Sequence, residues 1–308
     1  MKQLNHASVL RLDVAKELAA KYMILGNVEV AFVGGSVARG IADGHSDVDF
    51  GALWKAPPTD DERRQAIEAM SNLDTRFVRL FPLDPEENCW QDDFFIGQNR
   101  AGERASGLLV EVSHHTSDFL ESVIRDVTEK FDPDPLKQNL LTGVTDSLAM
   151  IGENRIAEYR DRIRVYPDDL ALAVINRSAQ VDFYSNWKKF LRRGENLFLI
   201  HRQFCEIEEK LLRVCLALSR QYFSTFKWVF QGPDRLTVAP KDFLPRLRSV
   251  FSSQPEVGAE VLRNLVHETY DLIEDQFPEA KVDWWRSVFD HERSFWEEPP
   301  FPIRNSGP

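Results

Sequence analysis

The sequence contains little cysteine and no pair of cysteines at a spacing that suits a metal. Its 3 cysteines, Cys89, Cys205 and Cys215, are odd in number in a chain of 308 residues. A disulfide framework and a cysteine-bound zinc need several cysteines at short, regular spacings, so both are disfavoured. The cysteines are expected to be small core hydrophobes in the reducing cytosol.

Long hydrophobic runs are also missing. No stretch approaches the roughly 18 uninterrupted apolar residues that a membrane-spanning helix needs. The N-terminal segment is interrupted by Asp13, Lys16 and Glu17, unlike the apolar core of a signal peptide. We therefore expect a soluble protein of the cytoplasm with no membrane partner.

The chain has no excess of positive charge. It holds 38 lysines and arginines against 49 aspartates and glutamates, a formal net charge of -11. Such a chain repels phosphate backbones, so a nucleic-acid partner is disfavoured. Apolar content of 43%, with 21 Phe, 7 Trp and 6 Tyr, excludes a disordered chain. The length suits one large domain or two ordinary ones.

Apolar residues in the first half of the chain recur at either strand or helical spacing. Short β-branched or alternating runs predict strands at residues 28–33, 47–54, 77–81, 88–96 and 107–113. Helical spacing predicts helices at residues 8–23 and 36–41. Thr59 and Glu62 fit a capping box, which predicts a helix to about residue 70. Together these elements predict a small mixed sheet with helices.

The pattern beyond residue 113 is almost entirely helical. Helices are predicted from about residue 119, where Ser117 or Asp118 can cap the start, and at 174–192, 204–222, 242–251 and 256–277. Their apolar stripes need partners, which favours a helical bundle. We therefore predict an α+β fold, with a mixed-sheet domain in residues 1–135, an all-α bundle in 136–298 and a proline-rich tail in 299–308.

One stretch combines two glycines with two aspartates. Gly34 and Gly35 end a predicted strand and allow close backbone approach, and Ser36 opens a helix whose free N–H groups favour an anion. Asp47 and Asp49 lie on one face of the next strand, about 7 Å apart. Their mutual repulsion is relieved by a hard divalent cation with oxygen ligands, in practice Mg²⁺. The stretch therefore predicts a phosphate cradle beside a metal pair.

A third carboxylate completes such a site. Glu111 is a lone acid in an apolar strand, where an unpaired charge would be costly. Each feature alone is common on solvated surfaces, but their combination favours function. Arg39 either reaches a phosphate or lies at the surface. His114 and His115 point to opposite faces of a strand, so a histidine metal site is disfavoured.

The order of these motifs resembles the DNA polymerase β-type nucleotidyltransferase superfamily. The stretch from Gly35-Ser36 to His45-Ser46-Asp47-Val48-Asp49 is similar to that of aminoglycoside adenylyltransferases acting on streptomycin and spectinomycin. The strings GGSVARGIADGHSDVDFGALW, LLVEVSHH and YFSTFKW also resemble the family called domain of unknown function 4037. The motifs cover roughly the first 115 residues, and the likeness of the helical half is weaker.

The resemblance implies a role for each matching residue. Ser36 and Ser46 would touch the triphosphate of ATP, while Asp47 and Asp49 would hold Mg²⁺, two ions in all. Glu111 would be the catalytic base and third metal ligand. Three residues of the second, helical domain would also touch ATP, namely Arg220, Lys227 and Tyr270. The alternative for Arg220 is a charge that caps the C-terminal end of a helix. The alternative for Lys227 is a lysine at the protein surface.

The predicted reaction is transfer of AMP from ATP to a hydroxyl of a small molecule, with release of pyrophosphate. The acceptor would be an aminoglycoside-like antibiotic or a natural-product intermediate. A cationic acceptor would suit acidic residues, and the sequence offers three groups: Asp92 and Asp93, Glu158 and Asp161, and Glu206, Glu208 and Glu209. Two alternatives stay open. One is a protein AMP-transferase of toxin–antitoxin type or a nucleotide sensor, and the other is a tRNA or RNA-end nucleotidyltransferase.

Overall fold

The computed structural model of the chain describes residues 4–97, 107–194, 196–229 and 235–292. The chain divides into two compact units. The first ends at Leu170 and also takes in Tyr222–Thr225, and the second begins at Ala171. The boundary suggested by the sequence, near residue 135, falls inside the first unit. The predicted tail at 299–308 lies outside the described residues.

The first unit is built on a mixed sheet, which has six strands among the described residues. The strands are β1 (Val28–Val33), β2 (Val48–Trp54), β3 (Arg79–Leu80), β4 (Trp90–Ile96), β5 (Leu108–Thr116) and β6 (Leu148–Ile151). They lie in the order β3-β4-β5-β2-β1-β6. β2 and β5 pair in parallel, and the other described pairs are antiparallel. The five strands predicted from the sequence are present, and the α+β class is confirmed.

The sixth strand corrects the expectation that the chain beyond residue 113 is essentially helical. β6 is short and pairs with β1 at the edge of the sheet. Its sequence, LAMI, has no alternation and no β-branched run, so local pattern does not identify it. The backbone of β1 supplies the partner that stabilises it.

The two faces of the sheet differ in burial. On one face Val48, Phe50, Val110 and Val112 are buried in the core of the unit. Helix α1 (His6–Leu25) packs against this face, where the ring of Tyr22 stacks on Phe50 at 5.9 Å. On the opposite face burial is mixed, because Asp49, Asp93 and Glu111 are half-buried whereas Leu53 and His115 are buried. Strand alternation therefore turns one set of side chains into this core and leaves the acids of the other set in partly open positions.

The remaining α-helices of the first unit are short. They are α2 (Gly35–Arg39), α3 (Asp60–Glu68), α4 (Ser117–Thr128), α5 (Pro135–Thr145) and α6 (Glu153–Ile163). A side chain caps the N-terminus of α3, α4 and α5. The predicted capping box is confirmed, because Thr59 and Glu62 exchange hydrogen bonds at the start of α3. The cap of α4 is Thr116, whose hydroxyl accepts from the N–H of Phe119, one residue before the expected position.

The second unit is helical in its described residues. Its helices are α7 (Asp168–Ser178), whose first turn belongs to the first unit, α8 (Tyr184–Arg193), α9 (Leu197–Leu218), α10 (Phe226–Val229), α11 (Phe243–Ser252), α12 (Pro255–Gln276) and α13 (Val282–Phe289). The long helix predicted at 174–192 is two helices. The carbonyls of Ala179 and Gln180 accept from the Tyr270 hydroxyl and the Lys210 ammonium, so α7 does not continue.

The three cysteines differ in burial. Cys89 and Cys215 are buried as expected, whereas Cys205 is exposed on α9 and is not a core residue.

Within the described parts of the chain, no helix combines the length and the hydropathy that crossing a bilayer requires.

Candidate metal centre

Three carboxylates meet on the face of the sheet opposite the core residues Val48 and Phe50. Asp49 on β2 lies directly opposite Glu111 on β5 in the parallel register, and Asp47 immediately precedes β2. One oxygen from each of Asp47, Asp49 and Glu111 lies within 4.8 Å of the others. All three residues are half-buried. Oxygen ligands at such separations suit a hard divalent cation such as Mg²⁺.

The charges of these acids are not independent. Partial burial is the main cause that raises the pKa of Glu111 to about 7, and the hydrogen bond and charge of Asp47 add to it. Carboxylates held this close favour a shared proton unless a cation lies between them. The geometry therefore fits a cation, whose binding would displace that proton.

The turn between β1 and α2 is built around Asp49. The N–H of Gly34 donates to the carbonyl of Asp49 at 2.8 Å, which extends the pairing of β1 with β2. Gly35 has a φ of +56°, and a Cβ built on it would lie 1.6 Å from Asp49 Oδ2. The glycine therefore leaves the space that the Asp49 carboxylate occupies, and its conformation is one that other residues adopt with strain.

Replacing Gly35 with alanine is expected to displace the Asp49 carboxylate and to weaken divalent-cation binding by about 10-fold or more. The matched control is Gly44→Ala in the following loop, where an added Cβ would meet nothing within 4 Å. Calorimetric titration of both variants with Mn²⁺ checks this. Equal affinities in the two variants would contradict the close approach of Gly35 to Asp49.

Ser36 is the residue of this turn whose placement points to a ligand. Its side chain is buried, and its Oγ has no hydrogen-bond partner among the described residues. A buried hydroxyl without a partner is destabilising by about 1–3 kcal/mol. It lies in the first turn of α2, where backbone N–H groups lack intrahelical acceptors. The orphaned Ser36 hydroxyl fits a bound anion, and the neighbouring Gly35 leaves room for the Asp49 carboxylate that would hold the metal.

Two other predicted phosphate contacts are engaged within the first unit. The Arg39 guanidinium donates to the Gly35 carbonyl at 3.1 Å and to Asp146 Oδ2 at 3.0 Å. The Ser46 hydroxyl donates to Asp43 Oδ1 at 3.0 Å. Both side chains therefore stabilise the backbone around the acids, and their contact with phosphate stays a prediction.

The three residues predicted to touch ATP from the helical domain are in the second unit. Arg220 has a φ of 54° and donates to the carbonyls of Ala217 and Leu218 near the end of α9, the capping alternative. Tyr270 is 1% exposed and its hydroxyl is bonded to Ala179, so this core position does not support a nucleotide contact. Lys227 is exposed on α10, 4.9 Å from the Trp228 ring centroid, and its role stays a prediction.

The structure separates Asp92 from Asp93, which the sequence offered together as acids for a cationic acceptor. Asp93 lies opposite Glu111 in the antiparallel pairing of β4 with β5, and its charge contributes to the raised pKa of Glu111. Asp92 points to the other face and is fully buried. Asp92 is therefore not available to an acceptor, because successive strand residues face opposite sides.

A buried polar network lies behind the acid-bearing strands and was not predicted. The Arg63 guanidinium on α3 donates to Asp92, and His114 Nε2 on β5 is 2.9 Å from the other Asp92 oxygen. The Trp54 indole on β2 donates to His114 Nδ1 at 3.0 Å, so Nε2 carries the proton. Burial lowers the pKa of His114, which is therefore neutral. The network joins the three strands whose other faces carry Asp49, Glu111 and Asp93.

Three solved structures are similar to this chain at low sequence identity. The structure of Cid1 in complex with its short product ApU matches 46% of this chain and 41% of that chain, at 12% identity and a TM-score of 0.26. The Cid1 poly(U) polymerase crystal structure matches 58% and 51%, at 10% identity and a TM-score of 0.27. This chain thus spans about half, or less, of the Cid1 chains.

A nucleotidyltransferase-like protein from Exiguobacterium sibiricum 255-15 is matched over more of its length. The match covers 87% of this chain and 80% of that chain, at 10% identity and a TM-score of 0.32. No curated protein matches the chain significantly. A family model matches residues 135–229, which include the YFSTFKW stretch and follow the three acids in sequence. That part of the chain is similar to the family described as Domain of unknown function (DUF4037).

Proposed function

We propose that this chain is a Mg²⁺-dependent nucleotidyltransferase that moves AMP from ATP to a hydroxyl of a small molecule and releases pyrophosphate. The observation that carries the proposal is the meeting of one carboxylate oxygen from each of Asp47, Asp49 and Glu111 within 4.8 Å, where β2 pairs with β5. The buried hydroxyl of Ser36, which has no hydrogen-bond partner among the described residues, supports a phosphate at the same end of the sheet.

Each residue of the site has a distinct task in this reaction. Asp47, Asp49 and Glu111 would hold the cation, which when bound neutralises charge on the triphosphate and polarises the α-phosphate. Glu111 accepts the proton of the acceptor hydroxyl, whose oxygen forms a bond to the α-phosphorus. The bond from that phosphorus to the oxygen bridging to the β-phosphate breaks, and pyrophosphate leaves. The fixed strands supply positioning.

A small hydroxylated acceptor is favoured over a nucleic acid. The net charge of -11 disfavours a long phosphate backbone as partner. Asp93, on the same sheet face as Glu111, adds a further negative charge beside the proposed base. An aminoglycoside-like antibiotic or a natural-product intermediate is the proposed acceptor class, supported by the motif resemblance. Transfer to a protein side chain or an RNA end is a distinct outcome of the test below.

The test is pyrophosphate release by the full chain with Mg²⁺, each of the four nucleoside triphosphates, and panels of hydroxylated small molecules, proteins and RNA ends. ATP with a small-molecule acceptor is expected to give pyrophosphate and an adenylylated product seen by mass spectrometry. Glu111→Gln should lower the rate by at least about 100-fold. The control Glu68→Gln changes an exposed acid on α3 and should retain activity. No magnesium-dependent pyrophosphate with any pair would refute the proposal.

A further inference from the structure

Asp47 differs from the other two acids in how its backbone is held. Asp49 and Glu111 lie within paired strands and face each other in register. Asp47 precedes the first residue of β2, so its position depends on the loop before it. Within that loop, the N–H of Ser46 donates to the Asp43 carbonyl at 3.3 Å, a long and weak bond.

Helix α1 holds this loop by three side chains on one helical face. Asn5, which caps the helix, donates from Nδ2 to the Ala42 carbonyl at 2.9 Å. The Ser8 hydroxyl accepts from the Ala42 N–H at 3.1 Å. Arg11 donates from Nε to the Ser46 carbonyl at 2.8 Å. The spacing of about one helical turn between these residues places them in a row along the loop.

Arg11 is the anchor nearest to the metal centre. The Ser46 carbonyl that it binds belongs to the planar peptide group that joins Ser46 to Asp47 and includes the Asp47 Cα. The guanidinium is itself oriented, because Nη1 donates to the Ala7 carbonyl one turn earlier at 3.1 Å. The side chain is 9% exposed, so the hydrogen bond is shielded from competing water.

We propose that Arg11 is a positioning residue for the metal centre, acting through the Ser46–Asp47 peptide group to fix the Asp47 carboxylate opposite Glu111. The proposal rests on the proposed function, since it needs Asp47 to be a metal ligand. Arg11 contacts neither substrate nor metal in this scheme. Without it, the loop loses the bond that sets the Asp47 peptide plane, while Asp49 and Glu111 stay fixed by the sheet.

The test is titration of the full chain with Mn²⁺ as the sole probe, with free Mn²⁺ followed by electron paramagnetic resonance. Arg11→Met should weaken Mn²⁺ binding by about 10-fold or more, as loss of an outer-sphere support typically does. Arg11→Lys keeps one donor for the Ser46 carbonyl and should recover much of the affinity. Lys16→Met removes the same charge from an exposed position on α1 and should bind as the parent chain does.

The outcomes separate this proposal from the proposed function. If the parent chain binds Mn²⁺, Asp49→Asn does not, and Arg11→Met binds as tightly as Lys16→Met, the positioning role is refuted and the metal centre stands. If the parent chain binds no Mn²⁺, the metal centre fails and the positioning role with it. Each titration is made well below the thermal unfolding midpoint of the variant, so that unfolding does not account for a change in affinity. Lower affinity in Arg11→Met with no recovery in Arg11→Lys would also overturn the proposal.

Discussion

Asp49→Asn is expected to lower the rate of nucleotidyl transfer by at least about 1,000-fold, equivalent to about 4 kcal/mol of transition-state stabilisation. The substitution keeps the shape of the side chain beside Gly35 but removes one negative charge from a set of three. A divalent cation held by the remaining acids would be bound more weakly and placed less well. Steady-state pyrophosphate release at saturating Mg²⁺ measures the effect.

The control for Asp49→Asn is a second aspartate changed in the same way. Asp13→Asn alters an exposed residue of α1 whose side chain is 62% exposed, and it should retain nearly full activity. Both variants should unfold near the temperature of the parent chain. An Asp49→Asn variant that transfers nucleotide at the parent rate would show that Asp49 is not a metal ligand.

Asp92→Ala is expected to lower the free energy of unfolding by about 3–5 kcal/mol, because it leaves the buried Arg63 charge without its buried partner. The side chains of Arg63 and Asp92 are 1% and 0% exposed. The proton of His114 Nε2 would also lose its acceptor. Urea denaturation at neutral pH, followed by circular dichroism, gives the free energy.

The matched control removes the other carboxylate bound to the same arginine. Asp60 Oδ1 lies 2.7 Å from Arg63 Nη2, but the Asp60 side chain is 77% exposed. Asp60→Ala should therefore destabilise by less than about 1 kcal/mol. Combining Asp92→Ala with Arg63→Met should destabilise less than the sum of the single changes, since no buried charge is left unpaired. Similar losses for Asp60→Ala and Asp92→Ala would contradict the importance of burial.

Local pattern identified five of the six strands in the described residues and brought out the three candidate acids. Strand alternation places Asp47 and Asp49 on one face, and the apolar neighbours of Glu111 mark it as an unusual acid. What pattern could not supply is the parallel register that sets Asp49 opposite Glu111. That register depends on pairing between segments far apart in sequence.

The residues that sequence analysis assigned incompletely share one physical property, which is a distant partner. Asp92 is identified as buried only once Arg63 and His114 are seen beside it. The sequence identifies Tyr270 only as an aromatic residue of a helix, whereas its hydroxyl donates to the carbonyl of Ala179, 91 residues away in the chain. Arg11 looks like an ordinary helical charge until its bond to Ser46 is seen. Helical and strand periodicity indicate which side chains share a face of an element, but they do not indicate which distant residue contacts that face.

The most direct test of the metal centre is a crystal structure of the full chain with Mn²⁺ and a non-hydrolysable ATP analogue, in which anomalous scattering locates the metal. We expect an anomalous peak bonded to carboxylate oxygens of Asp47 and Asp49, with the triphosphate extending toward Gly35 and Ser36. Manganese peaks found elsewhere, with none bonded to Asp47, Asp49 or Glu111, would contradict the proposed metal centre.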